Sequence, residues 1–210
     1  WWSAIADACA EIRPHLAEVG VVTSGVTTPG LTPMAADGRA LGPAILMMDG
    51  RSHAQAAAIR AAYGEERFLE ESCNLPVSGG SSLASILWIR DEQPELWAET
   101  AVFGHANTYV AKRLTGEWAI DPSTTSITGL YATARNDLTW NDGVLEAAGL
   151  EPERLPRLMQ SFDPVGQILP AAADELGLPR DAVVLCGGND ASLAAWSGGL
   201  SEPGDANIIS

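Results

Sequence analysis

Lysine is almost missing from this chain: Lys112 is the only one in 210 residues. The remaining basic residues are arginines, and 12 basic against 27 acidic side chains leave a formal charge of -15. So acidic a chain repels nucleic-acid phosphates and anionic lipid, which excludes both as expected partners. Cysteine is scarce as well. Cys9, Cys73 and Cys186 are odd in number and far apart, with no Cys-x-x-Cys pair and no Cys/His spacing suited to zinc. That argues against a disulfide framework and against a zinc site, and makes a reducing cytoplasm the expected compartment. No stretch of eighteen apolar residues occurs, so no membrane-spanning helix is expected. A Walker A loop, a dinucleotide Gly-x-Gly-x-x-Gly and a Gly-x-Ser-x-Gly elbow are all missing, which leaves an unrelated α/β enzyme as the last choice.

What is present describes a globular protein. Hydrophobic residues make up 46% and charged residues 19%, enough to bury a core, and the length suits one domain or one and a half. Trp2, Ile5, Ala8, Ile12 and Leu16 form a stripe at helical spacing, with Pro14 expected to break its last turn. Residues 19–23 read as a buried strand whose exit, residues 24–30, has the composition of a loop. Strand, turn and return strand are expected over 32–36, 37–38 and 39–41, and a further strand over 44–48. Helices are expected over 52–71, 83–91, 107–114, 141–148, 171–176 and 191–196, and strands over 101–104, 165–169 and 182–186. The proline-rich stretch 151–164 reads as a connection, and a turn at 203–205 leads into a strand from Ala206. Strands alternating with helices make this an α/β protein.

The sharpest local feature is Val183-Val184-Leu185-Cys186-Gly187-Gly188-Asn189-Asp190, an apolar strand running into two glycines, a carboxylate and a helix. Ligands of open α/β sheets bind at the carboxyl ends of strands, and glycines there allow close approach to the backbone. A carboxylate at that point is suited to accept a proton from a substrate hydroxyl. The competing reading is that Asp190 caps the helix, and the two roles are compatible. His15, His53 and His105 have no acidic partner at ligand spacing and read as surface or loop residues. Trp88 and Trp97 sit where packing would place them.

Four segments in order carry a resemblance. The run from Gly80 through Ser82, Ile86, Trp88 and Ile89 to Asp91-Glu92 resembles the first signature of the FGGY carbohydrate kinases, with Ser85 where lysine is usual. Pro43 to Arg51 resembles that family's P-A-I-L-W-x-D-x-R block, with Met47 in place of tryptophan. Tyr109 through Leu114-Thr115-Gly116-Glu117, then Asp121 and Ser126, resembles its Y-x-x-x-x-L-T-G-E block. Gly187-Gly188-Asn189-Asp190 resembles the turn bearing its catalytic aspartate.

The resemblance implies a ribonuclease H-like domain of the actin and hexokinase type, a mixed sheet flanked by helices. Residues 1–182 would be most of a first such domain and 183–210 the start of a second. It implies ATP-dependent phosphorylation of a sugar or polyol, with Mg2+ on the phosphates and Asp190 as base. Gly187 and Gly188 would bind the nucleotide; Thr28, Pro29, Met47, Asp49 and Gly80 would line the sugar site. For the loop at Thr28 and Pro29 a turn without ligand is an equal reading, and for Asp49 an ion pair with Arg51 that fixes a loop is the preferred one. The family's Asp-x-Gly-Thr phosphate loop does not occur, and both ends of the chain look cut, so the fragment alone is expected to be inactive. Ser85, Pro29 and Ala191 motivate the alternative of a non-catalytic sugar-binding member. Which sugar is bound, and whether further copies of the chain associate with it, stay open.

Overall fold

Proline and glycine set many of the element boundaries. The computed structural model describes residues 1–202, 204 and 205. Helix α1 (Trp2–Glu11) gives way to a 3-10 turn at Arg13–His15, whose first turn accommodates Pro14. Three short strands follow, β1 (Val21–Val22), β2 (Gly25–Val26) and β3 (Gly30–Met34), and then β4 (Ile45–Leu46). Helices α2 (His53–Tyr63) and α3 (Glu65–Ser72) replace the single helix expected over 52–71. Gly64 parts them at φ +99°, a conformation outside any helix. Next come α4 (Ser82–Glu92), α5 (Pro94–Glu99), β5 (Val102–Gly104) and α6 (Ala106–Thr115), the last closed by Gly116 in the left-handed region. The chain continues through β6 (Ala119–Ile120), α7 (Pro122–Thr125), α8 (Asp142–Ala148), β7 (Arg157–Leu158) and β8 (Pro164–Gln167). It ends with α9 (Pro170–Leu176), β9 (Val183–Leu185), β10 (Gly188–Asn189) and α10 (Asp190–Ser197).

Among the described residues the strands form four small sheets, and one of them is mixed. β9 lies between β1, to which it is parallel, and β8, to which it is antiparallel. β3 lies antiparallel between β4 and β5, β2 pairs parallel with β10, and β6 with β7. The stretch 151–164 is therefore more than a connection, because β7 within it completes a ladder with β6. The return strand expected over 39–41 is reduced to a bridge between Met34 and Ala40. The strand expected from Ala206 lies outside the described residues.

Among the described residues there are three apolar clusters, and two of them hold most of these elements. The larger joins β3, α2, α3, α4 and α8 through Leu31, Ile59, Phe68, Leu83, Ile86 and Val144, with Trp88 and Trp97 packed at its edge. Helix α4 is buried on nearly all sides, including Ser85 at 2% exposure. The second sets α9 and β9 against α1, which presents Trp2, Ile5, Ala6 and Cys9. The stripe anticipated through Ala8 and Ile12 fails because α1 stops at Glu11 and leaves Ile12 half exposed.

His105 departs from its expected surface position. It is fully buried ahead of α6, with Nε2 2.8 Å from the Ser82 hydroxyl at the start of α4. Burial pushes its pKa down to about 4 from 6.5. The unfolded chain therefore takes up this proton near pH 6.5, and the native state only near pH 4. The resulting stability is complete above the upper value and declines as pH falls between the two, by on the order of 3 kcal/mol. Urea unfolding at pH 7 and near pH 4.5 should show a larger acid loss for the parent than for His105→Gln; equal losses would refute this.

Candidate active site

Strand register brings the first group of residues together. In the parallel pair β2–β10, Gly188 lies opposite Gly25 and Asn189 opposite Val26. One step further along the same register, Asp190 comes beside Thr27, whose Oγ1 donates to Asp190 Oδ2 at 3.1 Å. Asp190 Oδ1 accepts the Ala191 N–H at 2.9 Å. Helix α10 is capped by Asn189, whose Oδ1 accepts the Ser192 N–H at 2.7 Å, so capping does not fall to Asp190. Asp190 is exposed. An ionised carboxylate offers about four lone-pair positions, and two donors leave room for a substrate hydroxyl.

The two glycines before it are explained by close packing. Gly187 has φ +78°, and a β-carbon there would lie 2.2 Å from the Ser24 carbonyl oxygen. At Gly188 it would lie 3.1 Å from Ser123 Oγ and 3.4 Å from Asp121 Oδ2. Their N–H groups are already used, by Ser161 O at 2.9 Å and Ser24 O at 3.1 Å. Neither N–H is free to donate to a phosphate. Among the described residues no group of three or more His, Cys, Asp or Glu is arranged to hold a metal ion.

Behind the turn sits a residue that the sequence places in the third of the family's blocks, without a role of its own. Asp121 is wholly buried and caps α7. Its Oδ2 accepts the Ser123 N–H at 2.8 Å and the Ser161 hydroxyl at 3.2 Å, and its Oδ1 accepts the Asn107 amide at 3.1 Å. Ser123, in α7, and Ser161, in a loop, belong to no motif of their own; only the fold shows that they converge.

The second group lies around Asp49. Arg51 Nε donates to Asp49 Oδ1 at 2.7 Å and Arg51 Nη2 approaches Oδ2 at 2.7 Å, which holds the carboxyl below its usual pKa range. The guanidinium stacks 4.7 Å from the Trp88 ring centre, so the Asp-x-Arg block meets the signature tryptophan. The preferred reading of Asp49, an ion pair that fixes a loop, matches this geometry. Gly79 (φ +69°) lets the loop before α4 run along Met47–Asp49: a β-carbon there would lie 2.4 Å from Met47 O. At Gly80 the equivalent space is filled by Val77, 2.6 Å away. Met47 is 56% exposed, Thr28 is half-buried, and Pro29 is buried behind a cis peptide. Register thus places Thr27, and neither Thr28 nor Pro29, against Asp190. A separate cavity of about 990 Å³ runs past Thr27 and Gly25 but is lined mainly by Trp1, Ile5, Val22, Val110 and Leu114, without Asp190 or Asp49. So apolar a lining is unsuited to a polyhydroxylated ligand.

The sequence model described as the FGGY family of carbohydrate kinases, N-terminal domain, matches residues 1–197. The chain belongs to the FGGY family of carbohydrate kinases. Among its relatives, xylulose kinase of Escherichia coli (strain K12) is 28% identical over 200 residues, covering 94% of this chain and 40% of the relative. Autoinducer-2 kinase of Yersinia enterocolitica is 25% identical over 163 residues, covering 77% of this chain and 30% of the relative. The crystal structure of xylulose kinase from Rhodospirillum rubrum superposes with a TM-score of 0.87 at 26% identity, covering 98% of this chain and 42% of that one. The expected ribonuclease H-like architecture of the FGGY sugar kinases is thus the one this chain adopts. The chain spans 40% or less of the length of the two curated relatives named here.

Proposed function

We propose that the complete protein phosphorylates a hydroxyl of a sugar or polyol, with ATP as donor and Asp190 as the base. The observation that carries this reading is Asp190 itself, exposed at the end of β10, with one donor on each oxygen and free lone pairs. The sugar O–H proton would pass to the carboxylate as that oxygen bonds to the terminal phosphorus of ATP, and the bond from this phosphorus to ADP breaks. Thr27 and the Ala191 N–H would hold the carboxylate facing the hydroxyl. Nucleotide and Mg2+ would be held by parts of the protein outside these residues. In this reading residues 1–182 form most of the first domain, and 183–210 lead into the second.

The sugar would lie between Asp190 and the loops bearing Met47 and Gly80. With Asp49 engaged by Arg51 and Pro29 buried, Thr27 and exposed Met47 are the side chains best placed for it. ADP release by the complete gene product, assayed over ketoses, polyols and sugar acids with D-xylulose first, tests the proposal. One substrate should give turnover, and the 210-residue chain alone should give none. Sugar binding without any ADP release would favour the non-catalytic alternative instead.

A further inference from the structure

Asp121 is a buried carboxylate for which, among the described residues, no arginine, lysine or histidine forms an ion pair. An unpaired buried charge is costly unless hydrogen bonds surround it, and such networks persist where they fix one arrangement. Here the donors are the Ser123 N–H and hydroxyl, the Ser161 hydroxyl, the Asn107 amide and, at 3.4 Å, the Thr124 N–H. Their direction is unambiguous, because an ionised carboxylate only accepts. The Ser123 proton must therefore point at Asp121. That leaves the Ser123 lone pairs turned outward, and one accepts the Asn189 N–H at 2.9 Å. The Asn189 side chain donates back to Ser123 O at 2.7 Å, while its oxygen caps α10 at the Ser192 N–H. Every bond from Asp121 to the first turn of α10 thus has one allowed sense.

From this geometry we infer that Asp121 is a positioning residue for Asp190, acting through the Ser123 hydroxyl on the Asn189 backbone and so on the placing of the base. The inference rests on the reading of Asp190 as base. Two further observations support it. A β-carbon at Gly188 would lie 3.1 Å from Ser123 Oγ and 3.4 Å from Asp121 Oδ2, so the bare glycine lets β10 pass close to the carboxylate. The Cys186 thiol just before the turn is pushed up to about 12, first by burial and next by Asp121. Neutralising Asp121 removes the constraint on Ser123. Its hydroxyl could then compete as a donor against the Asn189 N–H, and the turn would lose its single arrangement. Displacements well under an ångström at a reacting group are enough to slow catalysis substantially.

The test uses the complete kinase with Asp121→Asn, Ser123→Ala and Asp190→Asn, alone and combined. Hydrogen exchange of the peptide covering residues 187–192 should quicken about tenfold in Asp121→Asn and Ser123→Ala, with exchange around β4 and α4 unchanged. With the substrate found by the screen above, kcat should fall roughly 10–100-fold while KM moves less than about threefold. In the Asp190→Asn background neither substitution should lower the residual rate further, because the group they position is already gone. A merely structural Asp121 would lower both backgrounds alike, and that result, or unchanged exchange at 187–192, overturns the inference. If Asp121→Asn fails to fold, Ser123→Ala carries both measurements. Failure of the base assignment looks different: Asp190→Asn then keeps its turnover, and the exchange measurement still decides whether Asp121 holds the turn.

Discussion

If the proposed activity holds, replacing Asp190 by asparagine in the complete protein should lower kcat by about 10²–10⁴-fold while leaving sugar binding nearly intact. The range is that of a positioned general base, equivalent to roughly 3–5 kcal/mol of barrier. Asparagine keeps the shape, and its carbonyl oxygen can still accept the Thr27 hydroxyl at Oδ2's present position, 3.1 Å away. It cannot take up a proton. The loss should therefore appear in the chemical step and be read as ADP release at saturating sugar, with binding followed separately by calorimetry. Turnover within about threefold of the parent would remove Asp190 from the role of base.

The second large effect falls on stability. Gly187→Ala should destabilise the chain by about 2–5 kcal/mol in urea unfolding. A left-handed conformation costs an L-residue ~1–2 kcal/mol, and forcing an extra methyl group into packed structure costs ~1–3 kcal/mol. The obstacle is the Ser24 carbonyl oxygen, 2.2 Å from the new carbon, and a backbone atom cannot rotate aside as a side chain would. Relief requires β2 and β10 to part, which also withdraws Thr27 from Asp190. Gly20→Ala is the control, since nothing lies within 4 Å of its β-carbon position. A loss below about 0.5 kcal/mol at Gly187 would mean that the two strands do not lie as closely as described.

The sequence carried most of the helices because their signals are local. Gly116 and Gly149 end α6 and α8, and Pro122 opens α7, where each residue's own backbone preference decides. Gly64 was misread, because a single glycine inside an alanine-rich run looks tolerable until its φ is seen. β2 and β7 went unrecognised for a different reason. Two-residue strands have no periodicity to detect and exist only through distant partners, β10 and β6.

The candidate site divides along the same line. Asp190 was legible because strand, glycines, carboxylate and helix follow one another in the chain. The four blocks that carried the family resemblance were legible as strings, but their pairing was not. Asp49–Arg51 meets Trp88 and Gly79 in space, while Asp121–Ser123 meets Gly187–Asp190. By itself the sequence determined the α/β class and the family and singled out Asp190 as the candidate base, since each is written in contiguous residues. Tertiary structure alone decided that Thr27 holds Asp190, that Asn189 caps α10, that His105 is buried, and that Asp121 lies behind the turn. Apart from the Asn189 cap, which spans three positions, those rest on contacts between residues from 14 to 163 positions apart along the chain, fixed by strand register and packing that no local run of side chains encodes.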